Sequence, residues 1–233
     1  MIAIFKREFK SYFSTPIGYI VLAAFYFFLG FFFSIIYGYG APDIAMVITA
    51  MSSVVVFALP ILTMRMMSED RRQKVDQILL TAPVGLTSVV LGKYLAALAV
   101  FALGFAPTII FEIIVMSYIS VNIMSFIYAL LGMLLLGGTL IAIGMFISSL
   151  TESAVISAIL TLVINILALY ISNLTSMIKV EWIANIINKA AFLTVFEGFG
   201  ENIFSISDVV YFLSIITVFV FLSVRSLEKR RWS

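Results

Sequence analysis

The residues best able to carry chemistry stand together in one short run: Ser68, Glu69, Asp70, Arg71 and Arg72. Ser68 is a good helix N-cap, and Glu69 and Asp70 in the first turn suit the positive end of a helix dipole. Val75, Ile78, Leu79 and Ala82 then fall at i, i+3, i+4 and i+7, one apolar stripe. Pro83 ends the helix, because the residue before a proline is pushed out of the helical region. The spacing predicts a short, amphipathic, charge-capped helix over 68–82. Such a helix is either a solvated charge run that fixes topology or a docking helix for a cytoplasmic protein.

Two further polar residues lie deep in apolar sequence. Glu112 stands five positions after Pro107. A carboxylate at the bilayer centre costs about 2.5–3.5 kcal/mol on insertion scales, so its expected place is against a partner or a cavity. Asn165 is expected to hydrogen-bond across helices. Both are candidates for a pathway or gate. Other chemistry is excluded by the residue types that are missing. The chain has no cysteine and no histidine, which removes thiolate sites, a Ser-His-Asp triad, an H-E-x-x-H zinc site and His-ligated haem. It also has no G-x-x-x-x-G-K-[ST] loop with which to cradle ATP phosphates. The sequence therefore predicts no catalytic residue, no metal site and no cofactor bound by this chain. A net charge of +2 is too small to point to a nucleic-acid partner.

The elements that must position these residues belong in lipid. Of 233 residues, 63% are hydrophobic and 11% charged, against roughly 45–50% and about 25% in soluble domains. A spanning helix needs about 20 apolar residues. Six such segments occur, at 17–39, 44–64, 89–117, 123–150, 154–172 and 209–224. The expected fold is an all-α integral membrane protein, one domain over 1–233 with six transmembrane helices. Pro107 gives the third a reason to kink, and Pro60 the second. The first run is longer than a signal-peptide core and lacks an A-x-A-like cleavage site, so it is expected to be retained.

Twelve of the fourteen lysines and arginines fall on one side, among them Lys93, counted with the loop after the second span. Lys179 and Lys189 fall on the other. The positive-inside rule makes the twelve cytoplasmic, with both termini inside a cell membrane, plasma or bacterial inner membrane.

Residues 1–14 carry Ile2, Phe5, Phe9 and Phe13 at helical spacing, with Lys6, Arg7 and Lys10 between them. This pattern predicts a helix in the interface plane, its cations near lipid headgroups. It is either an anchor or an elbow that moves with a partner. The outer loop, 173–207, predicts a short helix around Trp182–Ala190. Gly198 and Gly200 should then break it into a re-entrant or surface-lying segment. Gly138 with Ala142, Ala102 with Ala106, and the Gly137, Gly144, Ser148 stripe predict close helix packing. The abundant Met and Phe are expected to be lipid-facing bulk.

Several of these stretches also resemble a known family. Leu62-Thr-Met-Arg-Met-Met-Ser-Glu-Asp-Arg-Arg, Leu79-Leu-Thr-Ala-Pro-Val and Leu91-Gly-Lys-Tyr are similar to the signature of type 2 ABC transporter permeases. Lys6-Arg-Glu-Phe-Lys-Ser-Tyr-Phe-Ser-Thr-Pro-Ile-Gly-Tyr resembles the start of that family's first span. Phe196-Glu-Gly-Phe-Gly-Glu, Asp208-Val-Val-Tyr-Phe and Arg225-Ser-Leu-Glu-Lys-Arg-Arg-Trp resemble its last span and tail. Within the family the pattern is closest to the gliding-motility and nitrous-oxide-reductase-maturation group. The resemblance implies a non-catalytic permease, an exporter, pairing with a second copy or a related permease. ATP and Mg would be held by separate cytoplasmic ATPase subunits. It maps the ATPase-coupling helix onto 68–82, through Ser68, Glu69, Asp70, Arg71, Arg72, Val75, Ile78 and Leu79, with the N-terminal elbow as a second contact. The alternative is an ion-coupled carrier or channel without an ATPase, which would need broken helices and more polar groups at mid-membrane than Glu112 and Asn165.

Overall fold

A computed structural model describes residues 1–38, 43–72, 85–174, 191–200 and 204–231. Among them every regular element is a helix. In chain order these are α1 (Ile2–Ser14), α2 (Pro16–Gly38), α3 (Ile44–Ala50), α4 (Ser52–Thr63), α5 (Ser68–Arg72) and α6 (Leu86–Gly104). Then come α7 (Ala106–Met116), α8 (Ile123–Leu150), α9 (Ala154–Leu174), α10 (Phe192–Gly200) and α11 (Ile206–Arg231). Six stretches are long and apolar enough to cross a membrane: Pro16–Gly38, Ser52–Arg72, Leu86–Met116, Ile123–Leu150, Ala154–Ser172 and Ile206–Lys229. The expected six-span, all-α architecture is thus the observed one.

Three segments differ in detail from the sequence expectation. The apolar run 44–64 is two helices, parted at Met51. Thr49 donates to the Ala45 carbonyl at 2.9 Å, a back-bond of the kind that bends helices. The third span breaks at Phe105, whose carbonyl accepts from the Thr108 hydroxyl at 2.7 Å. Pro107 then sits in the first turn of α7, where its missing N–H costs nothing. The last helix runs seven residues past Val224, because Glu228, Lys229 and the arginines are good helix formers although not apolar.

The outer region needs a larger correction. Residues 175–190, including Trp182, lie outside the described residues, as do 201–203. A helix, α10, occupies 192–200 where broken backbone was expected. Phe192, Phe196 and Phe199 recur at i, i+4 and i+7 and are all buried, which outweighs two glycines within the helix.

The centre of the bundle is α8, against which α3, α4, α6, α9, α10 and α11 all pack. Its Gly137, Gly138, Ala142, Gly144 and Ser148 are buried, so that stripe packs within the chain; Ala106 of the other predicted pair is exposed. The phenylalanines and methionines are not simply lipid-facing. Phe25, Phe101, Phe105, Phe196, Phe199, Phe212 and Met51 are fully buried. Phe25, Phe101 and Phe105 form a triangle with ring centroids 5.2–5.8 Å apart, and each pair adds about 0.5–1.5 kcal/mol beyond burial.

Candidate functional site

One end of the bundle gathers the charges. There α1 lies across the start of α6, close enough that a Cβ on Gly92 would stand 2.9 Å from Ile4 Cγ2. No larger residue fits at 92 without moving α1. The contact turns Glu8 and Tyr12 of α1 toward the bundle and leaves Lys6, Arg7 and Lys10 exposed. Tyr12 donates to the Leu62 carbonyl at 3.3 Å, fastening α1 to the end of α4. Burial, reinforced by the Glu8 charge, raises the Tyr12 pKa, so the phenol stays a donor. Phe5, Phe9 and Phe13 stack along the same helix at 5.8 and 5.2 Å. The helix predicted to lie in the interface plane also packs against the spans.

The residue that joins these parts is Lys93, grouped with a loop in the charge count although it falls inside the predicted span 89–117. It lies inside α6 and is 3% exposed. Its Nζ stands 2.9 Å from Asp70 Oδ2 and 3.1 Å from Glu8 Oε2. Burial pushes the Glu8 pKa up, but the Lys93 charge and hydrogen bonds from Arg7 and Lys93 outweigh it. The net effect holds this carboxyl below its usual range. Arg7 closes on Glu8 at 2.6 Å, and Arg65 approaches Glu69 at 3.8 Å. These groups line a cleft of about 320 Å³ between α1 and α5.

On its other side α5 is tied to α8 and α9. Arg71 pairs with Glu152 at 2.7 Å and donates to the Leu150 carbonyl at 3.0 Å, holding the turn between those helices. Ser148 Oγ accepts from the backbone N–H of Met67 and of Ser68, both at 3.1 Å. Ser68 itself does not cap the helix as its position predicts. Its hydroxyl donates back to the Met64 carbonyl, and Ser148 from α8 caps in its place. The reason is continuity: 64–67 are turns running on from α4, so α5 has no free start for its own serine to cover. Arg72 is exposed. Val75, Ile78 and Leu79, the remainder of the predicted 68–82 helix, lie outside the described residues.

The two membrane candidates are placed apart from this cluster. Glu112 is 6% exposed, one turn from the end of α7, and makes no ion pair among the described residues. Asn165 is fully buried on α9, but contrary to expectation neither amide atom has a hydrogen-bond partner among the described residues. α7 packs on α2, α3 and α6, while α9 packs on α4, α8 and α10. A lone lysine flanked by Gly92 in an apolar run was the signal that could have identified Lys93. The small-residue stripe marked Ser148 as a packing position, and nothing in the pattern marked it as a cap for α5.

These contacts join α5 to α1 and α6 through Lys93, and to α8 and α9 through Ser148 and Arg71. A family model described as ABC-2 type transporter matches residues 1–204. No curated protein matches the chain.

Proposed function

The chain belongs to the ABC-2 type transporter family, as a multi-pass permease subunit, and from that premise we propose that α5 and α1 form the surface on which a separate ATPase docks and pushes. The single observation that carries this reading is Lys93, which binds Asp70 of α5 and Glu8 of α1 at once. Ser68, Glu69, Asp70, Arg71 and Arg72 are the described part of the coupling segment; Lys6, Arg7 and Lys10 are the exposed cations of the elbow.

On this reading the basic end of the bundle faces the cytoplasm of a plasma or bacterial inner membrane, following the positive-inside rule. The permease works as an exporter, paired with a second copy or a related permease, and is non-catalytic. ATP and Mg belong to the ATPase. ATP binding favours one of two permease states only through contacts that differ between them. A buried ion-paired tie under the docking surface supplies such contacts. Glu112 and Asn165 remain candidates for the pathway. The sequence likeness points further to the gliding-motility and nitrous-oxide-reductase-maturation group.

Co-purification from native membranes tests the reading. Recovery of an ATPase at one copy per permease supports it. A chain that purifies alone and transports with no ATPase present overturns it.

A further inference from the structure

α9 has two unlike faces. Val155, Ile156, Ile159, Val163 and Leu167 are exposed on the outside of the bundle. Ser157, Thr161 and Asn165, four residues apart, are fully buried on the inside. Four residues advance a helix by about one turn and 6 Å, so the three form a slightly slanted file about 12 Å long. Among the described residues Ser157 Oγ, Thr161 Oγ1 and both amide atoms of Asn165 have no hydrogen-bond partner.

This is not how hydroxyls behave elsewhere in the same chain. Thr49, Thr63, Thr139, Thr217 and Ser223 each donate to the carbonyl four residues earlier. That acceptor is the usual refuge of Ser and Thr in a helix. Ser157 and Thr161 forgo it. Four unpartnered polar atoms in a dry, apolar setting carry a heavy desolvation penalty, and Asn165 alone offers two donors and two acceptor lone pairs. Polar residues inside membrane bundles face a partner or a water-filled space.

The file has a beginning and an end. It starts beside the turn between α8 and α9 that Arg71 and Glu152 hold, where α5 packs on α9. One turn beyond Asn165 it meets Leu169, an apolar residue 1% exposed. Its narrowest point is Gly144 of α8. A Cβ there would lie 2.4 Å from Thr63 Oγ1 and 3.0 Å from Thr161 Cγ2, so α4, α8 and α9 close on one another at that level.

We propose that the Ser157, Thr161 and Asn165 face of α9 is a water-bearing half-channel. It leads from the basic end of the bundle to the middle of the membrane and is closed in this structure, where all three side chains are fully buried and α4, α8 and α9 approach one another at Gly144. The permease reading supplies only which end is cytoplasmic and what drives α9 off Gly144. The occupant is water, since the three residues of the file offer hydroxyl and amide groups and no charge.

The chain is free of cysteine, so single cysteines can be introduced without a background. In inverted membrane vesicles with ATP present, a charged, membrane-impermeant thiol reagent is added from the cytoplasmic face. Thr161→Cys and Asn165→Cys should react at least tenfold faster than the lipid-facing Ile159→Cys and the plug variant Leu169→Cys. Glu152→Cys serves as the exposed control. Rates at 161 and 165 no faster than at 159, while Glu152→Cys reacts, overturn the proposal. Thr161→Val keeps the side-chain shape and deletes the hydroxyl; labelling of Asn165→Cys in that background should fall several-fold, and unchanged labelling would equally overturn it. Fast labelling at 161 and 165 that does not depend on ATP would count against the permease reading and leave the file standing, since without ATP the closed file should label slowly.

Discussion

Lys93 Nζ lies 2.9 Å from Asp70 Oδ2, although Lys93 belongs to the third span and Asp70 to α5, the short helix that ends the second. The same nitrogen reaches Glu8 of α1 at 3.1 Å. One ammonium, almost fully buried, therefore joins three segments remote in sequence. A buried cation with two carboxylates tolerates the loss of one far better than the loss of both, and that asymmetry is measurable.

Glu8→Gln and Asp70→Asn alone should each cost about 1 kcal/mol, since the remaining carboxylate still neutralises Lys93. The double variant leaves the lysine buried and unpaired, a state that costs about 3–5 kcal/mol. The loss should therefore exceed the sum of the singles. Thermal unfolding in detergent measures the cycle; strict additivity would show that Lys93 does not depend on the two carboxylates jointly.

Glu69→Ala combined with Asp70→Ala removes the acidic start of α5 and leaves Arg65 and Lys93 each short of a partner. Glu8 still holds Lys93, so the bundle should insert and fold. ATP hydrolysis by the partner should continue while transport falls at least tenfold. Wild-type coupling in this variant would reduce the segment to a topology signal.

How far these features were legible depended on whether they were local. The spans could be read because about 20 apolar residues in a row have one stable solution in lipid. The acidic start of α5 could be read for the same reason: Glu69 and Asp70 answer to their own helix. Lys93 could not, because counting cations by loop hides a lysine whose partners are 23 and 85 positions away. The capping role of Ser148 and the helix α10 were missed similarly. What holds them is packing between helices, and a period along one helix carries no record of its neighbour. Asn165 failed in the opposite sense, for the expected cross-helix partner is absent among the described residues.

The Glu8 tie should depend on pH in one direction only. With its folded pKa held below the unfolded value, Glu8 contributes stability above the ordinary glutamate pKa, about 4.3. That contribution is lost as pH falls through the lower, folded value. Release of α1, followed by limited proteolysis after Lys6, Arg7 or Lys10, should rise on acidification below about pH 4. Glu8→Gln should show raised cleavage at neutral pH and a flatter profile; a wild-type profile in that variant would assign the acid release to another group.

Packing at Gly92 sets whether the tie can form at all. Gly92→Val would drive β-carbon substituents into Ile4 and toward the Phe5 backbone nitrogen, 3.3 Å from an ideal Cβ. Ile4 can turn aside, but the α1 backbone cannot, so α1 should lift from α6 at a cost of about 1–3 kcal/mol, typical of overpacking. The lift separates Glu8 from Lys93 without touching either. Protease sensitivity of α1 should then match that of Glu8→Gln. A fully protected α1 in Gly92→Val would mean that the helix is held by contacts other than this close approach.

Ser148→Ala tests the opposite side of α5. The hydroxyl accepts two backbone N–H groups and donates to the Met64 carbonyl at 3.2 Å, so it caps a helix to which it does not belong. Loss of an ordinary N-cap costs about 0.5–2 kcal/mol. Here the orphaned donors are buried, which adds the penalty of leaving them unpaired, about 1–3 kcal/mol each where nothing else can reach them. Because Arg71 and Asp70 anchor α5 independently, the bundle should survive while the segment at 64–68 loosens. Hydrogen exchange at the Met67 and Ser68 amides should accelerate at least tenfold, with amides in the middle of α8 unchanged. If α5 transmits motion as a rigid body, coupling of ATP hydrolysis to transport should fall in the same variant even though every charged residue is intact. Faster exchange with undiminished coupling would place transmission on the Lys93 side of the segment alone.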